Sequence, residues 1–265
     1  MSGTQFSMEV MPSSSGFNNR GGDVKQLDLT DAVQFRGPQH EKEHLYPRNA
    51  RLFGRSPYAF AGFLDSKLLG TTVMTGSVYT FPTMPETMSL FHPPHLEQAL
   101  VNMIYHDFGP GNLRIREGYY KYAEDWRTVT INGTNWVFFD ATKTSFALED
   151  QSASPDQAPS KLYTYWYPVG HNKVLGIHLV NGGWHPYGPC VEYFDDIQKE
   201  CIETARLVLS DDAIAEKEDA KARFGSAVYS EQLAIPDWEF PLVSFDDMAR
   251  PTIEIPGSPI PDWKP

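Results

Sequence analysis

The chain has 265 residues, with 22 Lys and Arg against 34 Asp and Glu and a formal net charge of -12. Hydrophobic residues make up 41% and aromatic residues 13%, enough apolar material for a packed core and unlike a disordered chain, which lacks aromatics. The acidity excludes sequence-independent binding to nucleic acid, which depends on Lys and Arg neutralising phosphates, and argues against attraction to an anionic membrane.

Residues 1–30 are rich in Ser, Gly and Asn, as in Ser13-Ser14-Ser15-Gly16 and Arg20-Gly21-Gly22, and read as a flexible N-terminal segment. They show no basic start followed by an apolar run, the mark of a signal peptide. No stretch reaches the roughly 18 apolar residues of a membrane span. Cys190 and Cys201 are too few and too close for a disulfide framework. A cytoplasmic protein is the expectation.

An α/β core is expected over residues 31–210. Short apolar pieces suggest edge strands near Ala32–Phe35 and Tyr58–Phe63, and the Thr-, Val- and Tyr-rich run Leu68–Phe81 favours a longer strand. Pro93-Pro94 suits the start of a helix. Leu96, Leu100, Met103 and Ile104 continue it at helical spacing to Phe108, with Gly109 as the stop. The period then changes to two. Leu113 and Ile115 alternate with arginines and Val129 and Ile131 with threonines. Asn132-Gly133 marks a hairpin turn, and Trp136–Phe139 is the returning strand. The same Asn132-Gly133-Thr134 matches a glycosylation sequon, which the turn reading displaces. A Pro-containing loop, 149–160, leads to a second hairpin, Leu162–Tyr167 with Lys173–Val180, about Gly170-His171-Asn172. The stripe Phe194, Ile197, Cys201, Ala205 and Val208 predicts an amphipathic helix to Leu209, in which Cys201 is an ordinary buried thiol.

Residues 211–230 form a polar unit, with a helix from Asp212 to Phe224 stopped by Gly225. Over Glu192–Lys221, ten acidic residues face four basic ones, which reads as the solvated faces of the last two helices. Residues 231–265 are an extended tail. Seven of the 21 prolines fall there, which excludes a helix or a sheet interior. Ile235-Pro236-Asp237-Trp238 recurs as Ile260-Pro261-Asp262-Trp263, and extended Pro-containing segments with a Trp anchor dock into protein grooves.

The helix Leu96–Phe108, the strand and turn Thr128–Gly133, the hairpin Tyr163–Tyr167 with Val174–Val180 and the helix Phe194–Leu209 occur in an order that resembles the Mog1/PsbP-like family, which includes DcrB-type domains and chaperones of secreted effectors. The resemblance covers residues 30–210. It implies an α+β fold, an antiparallel sheet flanked by helices in an α/β sandwich, and binding without catalysis. The extended Pro-rich C-terminal tail falls outside it.

Candidate sites are few. His92 and His95 bracket Pro93-Pro94 and are the metal-like pair, yet His106 lies eleven residues beyond His95, about 16 Å along a helix. One ion does not join them, and surface or capping histidines are the better reading. His185 lies in Trp184-His185-Pro186-Tyr187, an aromatic loop suited to lining a pocket. No nucleophile elbow, phosphate loop or Cys–His signature occurs, so no catalytic residue and no cofactor is expected. Tyr163, Tyr165 and Tyr167 place aromatics on a sheet face that would otherwise be polar. With Trp184, Trp238 and Trp263 they are the candidate partner-binding residues. They point to a non-enzymatic adaptor or chaperone-like protein that binds another protein or itself. Alternatives are a metal-dependent or hydrolytic enzyme near His92, His95 or His185, and a structural subunit of a homo-oligomer with exchanged tails.

Overall fold

The computed structural model describes residues 3–11, 26–35, 47–55, 58–61, 67–107, 119–121, 124–144, 160–183, 187–235, 242–245, 251–254 and 263–264. The centre is an eight-stranded antiparallel sheet. Its strands are β2 (Arg48–Arg55), β3 (Tyr58–Ala61), β4 (Lys67–Thr80), β5 (Tyr119–Lys121), β6 (Arg127–Ile131), β7 (Thr134–Thr144), β8 (Ser160–Gly170) and β9 (Lys173–Gly183). The path runs β2-β4-β9-β8-β7-β5, with β3 also pairing with β4 and β6 with β7. With the helices described below, this is the α+β class with an antiparallel sheet flanked by helices.

Alternation within the strands gives the sheet two buried faces. Leu162, Thr164 and Trp166 of β8 lie on the first face with His178 of β9 and Phe139 of β7, following the register Phe139–Thr164–His178. Helix α1 (Pro93–Asp107) covers this face with Leu96, Leu100, Met103 and Ile104, all fully buried. Two glycines make room for large rings. A Cβ on Gly176 would overlap the Trp166 indole, and one on Gly76 would overlap the Phe53 ring on the opposite face. The first hairpin turn follows its sequence, since Asn132 and Gly133 have φ of 47° and 76°, the two left-handed residues a type I′ turn requires.

The second face carries Met74, Val78, Trp136, Leu175, Ile177 and Leu179. Helix α2 (Tyr187–Glu203) packs on β9 and β4. The N-terminal strand β1 (Gln5–Ser7) lies on the same face, its Phe6 stacked 6.5 Å from Phe53 and edge-on at 6.4 Å to Trp136. It pairs with β10 (Arg206–Val208).

The structure corrects several sequence expectations. The Ser/Gly-rich N-terminal segment contains β1, because Phe6, Met8 and Val10 alternate with polar residues and supply an apolar face. Ala32–Gln34 is a 3-10 turn in place of a strand, fixed by Asp31 accepting from the Val33 amide at 3.0 Å. Helix α2 starts seven residues before Phe194, because Pro189 falls in its first turn, where a missing N–H costs nothing. It ends at Glu203, where Thr204 and Ala205 amides close tight turns onto Cys201 and Ile202 carbonyls at 3.1 and 3.0 Å. Val208, expected on the helix stripe, is an exposed residue of β10. Cys201 is buried as expected. Helix α3 (Asp211–Phe224) matches its prediction, capped by Ser210 and by Gly225 at φ 77°. In the tail, β11 (Leu242–Phe245) and β12 (Pro251–Glu254) form an antiparallel ribbon, which tolerates proline because both strands are edges. The Leu113–Ile115 alternation, the 149–159 loop and Gly109 lie outside the described residues.

Candidate binding site

The three tyrosines of β8 project onto the second face and pack against its core. Tyr163 donates its hydroxyl to Asp195 Oδ2 at 2.9 Å. Tyr165 lies 4.9 Å from the Phe138 ring, and burial pushes its ionisation up to about 12, against the lowering effect of Arg127. Tyr167 tilts against Trp136 at 5.7 Å and accepts a bond from Lys217 Nζ at 3.3 Å. The aromatic face is therefore turned toward β1 and α2 of its own chain.

Beside Tyr163 lies a polar network that no single stretch of sequence announces. Asn181 Nδ2 donates to Asp195 Oδ1 at 2.6 Å and to Gln198 Oε1 at 3.1 Å. Gln198 Nε2 donates in return to Asn181 Oδ1 and to Thr72 Oγ1. Thr72, Asn181 and Gln198 are buried, so these mutual bonds remove the penalty of desolvating them. The network fixes α2 on the sheet. The one local sequence signal is the i, i+3 spacing of Asp195 and Gln198 on a helix.

His92 and His95 do meet, with ring centroids 4.7 Å apart. Both also contact Phe224 of α3, at 5.1 and 4.8 Å. His95 Nδ1 accepts from the Ser89 amide at 3.1 Å, which makes it a cap of the loop before α1. Burial holds both below the usual histidine range, His95 further affected by the charge of His92. Among the described residues no group of three or more His, Cys, Asp or Glu is placed to hold a metal ion. Trp263 packs on the first core of its own chain. Trp184, His185 and Trp238 lie outside the described residues.

A cavity of about 1000 Å³ opens on the second face, between β1, residues 26–30 and the sheet. Phe6, Leu29, Phe53, Val78 and Leu175 give it an apolar floor, while Gln5, Ser7, Asp28 and Thr30 supply polar walls. Leu52 reaches it because the β2–β4 register shifts between Arg51 and Phe53, a bulge that re-aims the intervening side chain. Its size and its mixed lining, apolar floor with a few polar groups, are those of a ligand site. Asp28 is held below the usual carboxylate range by bonds from the Thr30 hydroxyl and amide, so it keeps its charge at the cavity wall.

No protein-family model, curated protein or solved structure matches this chain. No helix among the described residues is long and apolar enough to cross a membrane.

Proposed function

We propose that this chain is a binding protein without catalytic activity, which takes up an extended apolar segment of another protein in the cavity beneath β1. The observation that carries the reading is the position of that cavity. It pairs an apolar floor with a wall made by β1, and among the described residues β1 pairs on one side only, with β10. An open strand edge offers backbone donors and acceptors to an added strand, and pockets beside it select alternate side chains. The resemblance to Mog1/PsbP-like chains points the same way, since that family implies binding. His95, His178 and the Tyr163–Asp195 pair support it too, because their polar atoms are engaged in bonds that hold elements together.

The test is to fill the cavity. A hydrophobic fluorophore, anilinonaphthalene sulfonate, reports occupancy, and a permanently unfolded, reduced and carboxymethylated polypeptide competes for it. The wild-type chain is expected to bind the fluorophore saturably and to lose it to the polypeptide. Leu52→Trp is expected to weaken both at least about tenfold, or about 1.4 kcal/mol, while its thermal transition stays cooperative. Unchanged binding in a folded Leu52→Trp chain removes the reading.

A further inference from the structure

The tail is held to α1 in two places. Ser230 donates its amide to Glu97 Oε1 at 2.6 Å and accepts the Trp126 indole N–H at 2.8 Å, and Leu233 and Ile235 pack on the first core. Further on, the tip returns to the next residue of the same helix. Trp263 lies edge-on against Phe81 at 5.9 Å and 90°, and its Nε1–H donates to Thr83 Oγ1 at 3.2 Å. Gln98 Nε2 donates to the Lys264 carbonyl at 2.9 Å, and Gln98 Oε1 accepts the Lys264 amide, also at 2.9 Å.

This is the geometry of peptide recognition. A side-chain amide carries one acceptor and two donors, so Gln98 satisfies both backbone groups of one residue as a neighbouring strand would. That contact is indifferent to sequence. Specificity comes from the indole, which fills the recess over Phe81 with its apolar body while its N–H reaches a hydroxyl. Phe81 belongs to the first core with residues of α1 and the sheet, so the floor of the recess is a core side chain.

We propose that the groove formed by Phe81, Thr83 and Gln98 is a docking site for the Trp263-Lys264 segment of a second copy of this chain, and that the chain's own Trp263 and Lys264 occupy it in the monomer. The segment that fits the groove is one that every copy presents. The chain also carries two Ile-Pro-Asp-Trp segments, and the start of the first, Ile235, rests on the same core as the end of the second. Among the described residues, Trp263 and Lys264 meet the rest of the chain through the ring contact with Phe81 and hydrogen bonds to Thr83 and Gln98, none of which is a bond of the sheet, so the tip can leave without opening it. A tethered segment competes with an incoming one at an effective concentration on the order of millimolar. Exchange is therefore a high-concentration event in the wild-type chain.

The experiment separates groove from tip on different full-length chains. The acceptor is Trp263→Ala, with its groove vacated; the donor is Thr83→Ala with Gln98→Ala, with its tip released. Each alone is expected to sediment as a monomer at about 100 μM, and an equimolar mixture at about 100 μM of each to hold more than about a third of the chains as a one-to-one dimer, the share that an affinity of about 100 μM gives. A labelled peptide of residues 258–265 is expected to bind the acceptor about tenfold more tightly than the wild-type chain, the ratio that millimolar tethered competitor sets against a site of about 100 μM affinity. Two monomers in the mixture at 100 μM, with both chains folded by circular dichroism, overturn the proposal. Peptide binding without a mixed dimer also overturns it, and assigns the groove to a different partner. If the acceptor does not fold, a fluorophore attached after Pro265 of the wild-type chain gives the second measurement. Excess unlabelled peptide should release the tip and lower the anisotropy, and an unchanged signal counts against the groove.

Discussion

His178 sits on the first face of the sheet with its Nε2 3.0 Å from the Tyr79 hydroxyl and its ring edge-on to Trp166 at 4.9 Å. Burial pushes its ionisation down to about 4 from 6.5. The unfolded chain therefore takes up a proton on this residue below about pH 6.5, while the folded chain does not until about pH 4. The stability it confers is fully present above that upper value and is lost as pH falls through the window, by about 3 kcal/mol at the lower end. His178→Gln keeps a partner for Tyr79 but does not titrate. Its urea midpoint should fall less between pH 7 and pH 4 than that of the wild type, and parallel curves would remove His178 as the cause. Gly176 is tied to the same cluster. Gly176→Ala puts a methyl group into the Trp166 ring, an overpacking that costs about 1–3 kcal/mol. Chemical denaturation reads that loss directly, and a loss under about 0.5 kcal/mol, the range of ordinary surface changes, would mean that the ring moves aside.

Elements were legible in proportion to how much of their structure is local. The turn at Asn132-Gly133, the α3 helix and the β8–β9 hairpin each rest on neighbours in sequence, and each falls where spacing and turn chemistry put it. The turn also has a role that sequence does not show. Asn132 Nδ2 donates to the Glu203 and Ala205 carbonyls at 2.8 and 2.9 Å, which ties the β6–β7 hairpin to the last turn of α2. Asn132→Gly preserves the left-handed backbone and removes both bonds. It should cost about 1–2 kcal/mol, the net value of hydrogen bonds to an otherwise unpaired helix end, read as a shift in urea midpoint at constant slope. A neutral result would mean that water replaces the amide. The α2 boundaries were harder to read. Pro189 looks like a break until it is placed in a first turn, and Arg206–Val208 continues the helical stripe until β1 arrives to pair with it. The candidate tyrosines were recognisable as a sheet face, but what covers that face comes from residues 3–11 and 192–202, distant in sequence. The cavity was not legible at all. It is the space left where β1, residues 26–30 and a bulged β2 fail to close on the sheet, and it has no local pattern.

At the scale of the whole molecule, the two ends of the chain sit on opposite faces of one sheet. Tyr229, Leu233, Ile235 and Trp263 of the C-terminal part pack on the first core, and Phe6, Met8, Val10 and Met11 pack on the second. The N-terminal segment is also bonded beside two helix termini. Thr4 Oγ1 accepts the Ser210 amide at 3.0 Å, and Ser210 Oγ in turn caps α3 by accepting the Ala213 amide at 3.2 Å. The Glu9 amide donates to Thr204 Oγ1 at 2.8 Å, just past the end of α2. Composition alone describes the first thirty residues as a flexible lead-in, and the contacts describe their start as a layer of the core. These two descriptions give different outcomes when residues 1–11 are removed. A flexible lead-in is dispensable, and its loss would leave the melting temperature unchanged. A core layer is not dispensable. Burying Phe, Met and Val side chains contributes about 1.5–3 kcal/mol each when complete. Phe6, Met8 and Val10 are only partly buried, so their removal should cost roughly 3–5 kcal/mol, a large share of the 5–15 kcal/mol that holds a typical domain folded. The shortened chain should melt at a markedly lower temperature. It should also bind anilinonaphthalene sulfonate across the whole second face, with weaker and unsaturated binding in place of the single saturable site of the full chain. Phe6→Ala should give about 2 kcal/mol of this loss by itself, because its ring bridges Phe53 and Trp136. If deletion leaves melting unchanged, β1 is not part of the fold, the cavity has lost a wall, and the binding function proposed for it fails with it.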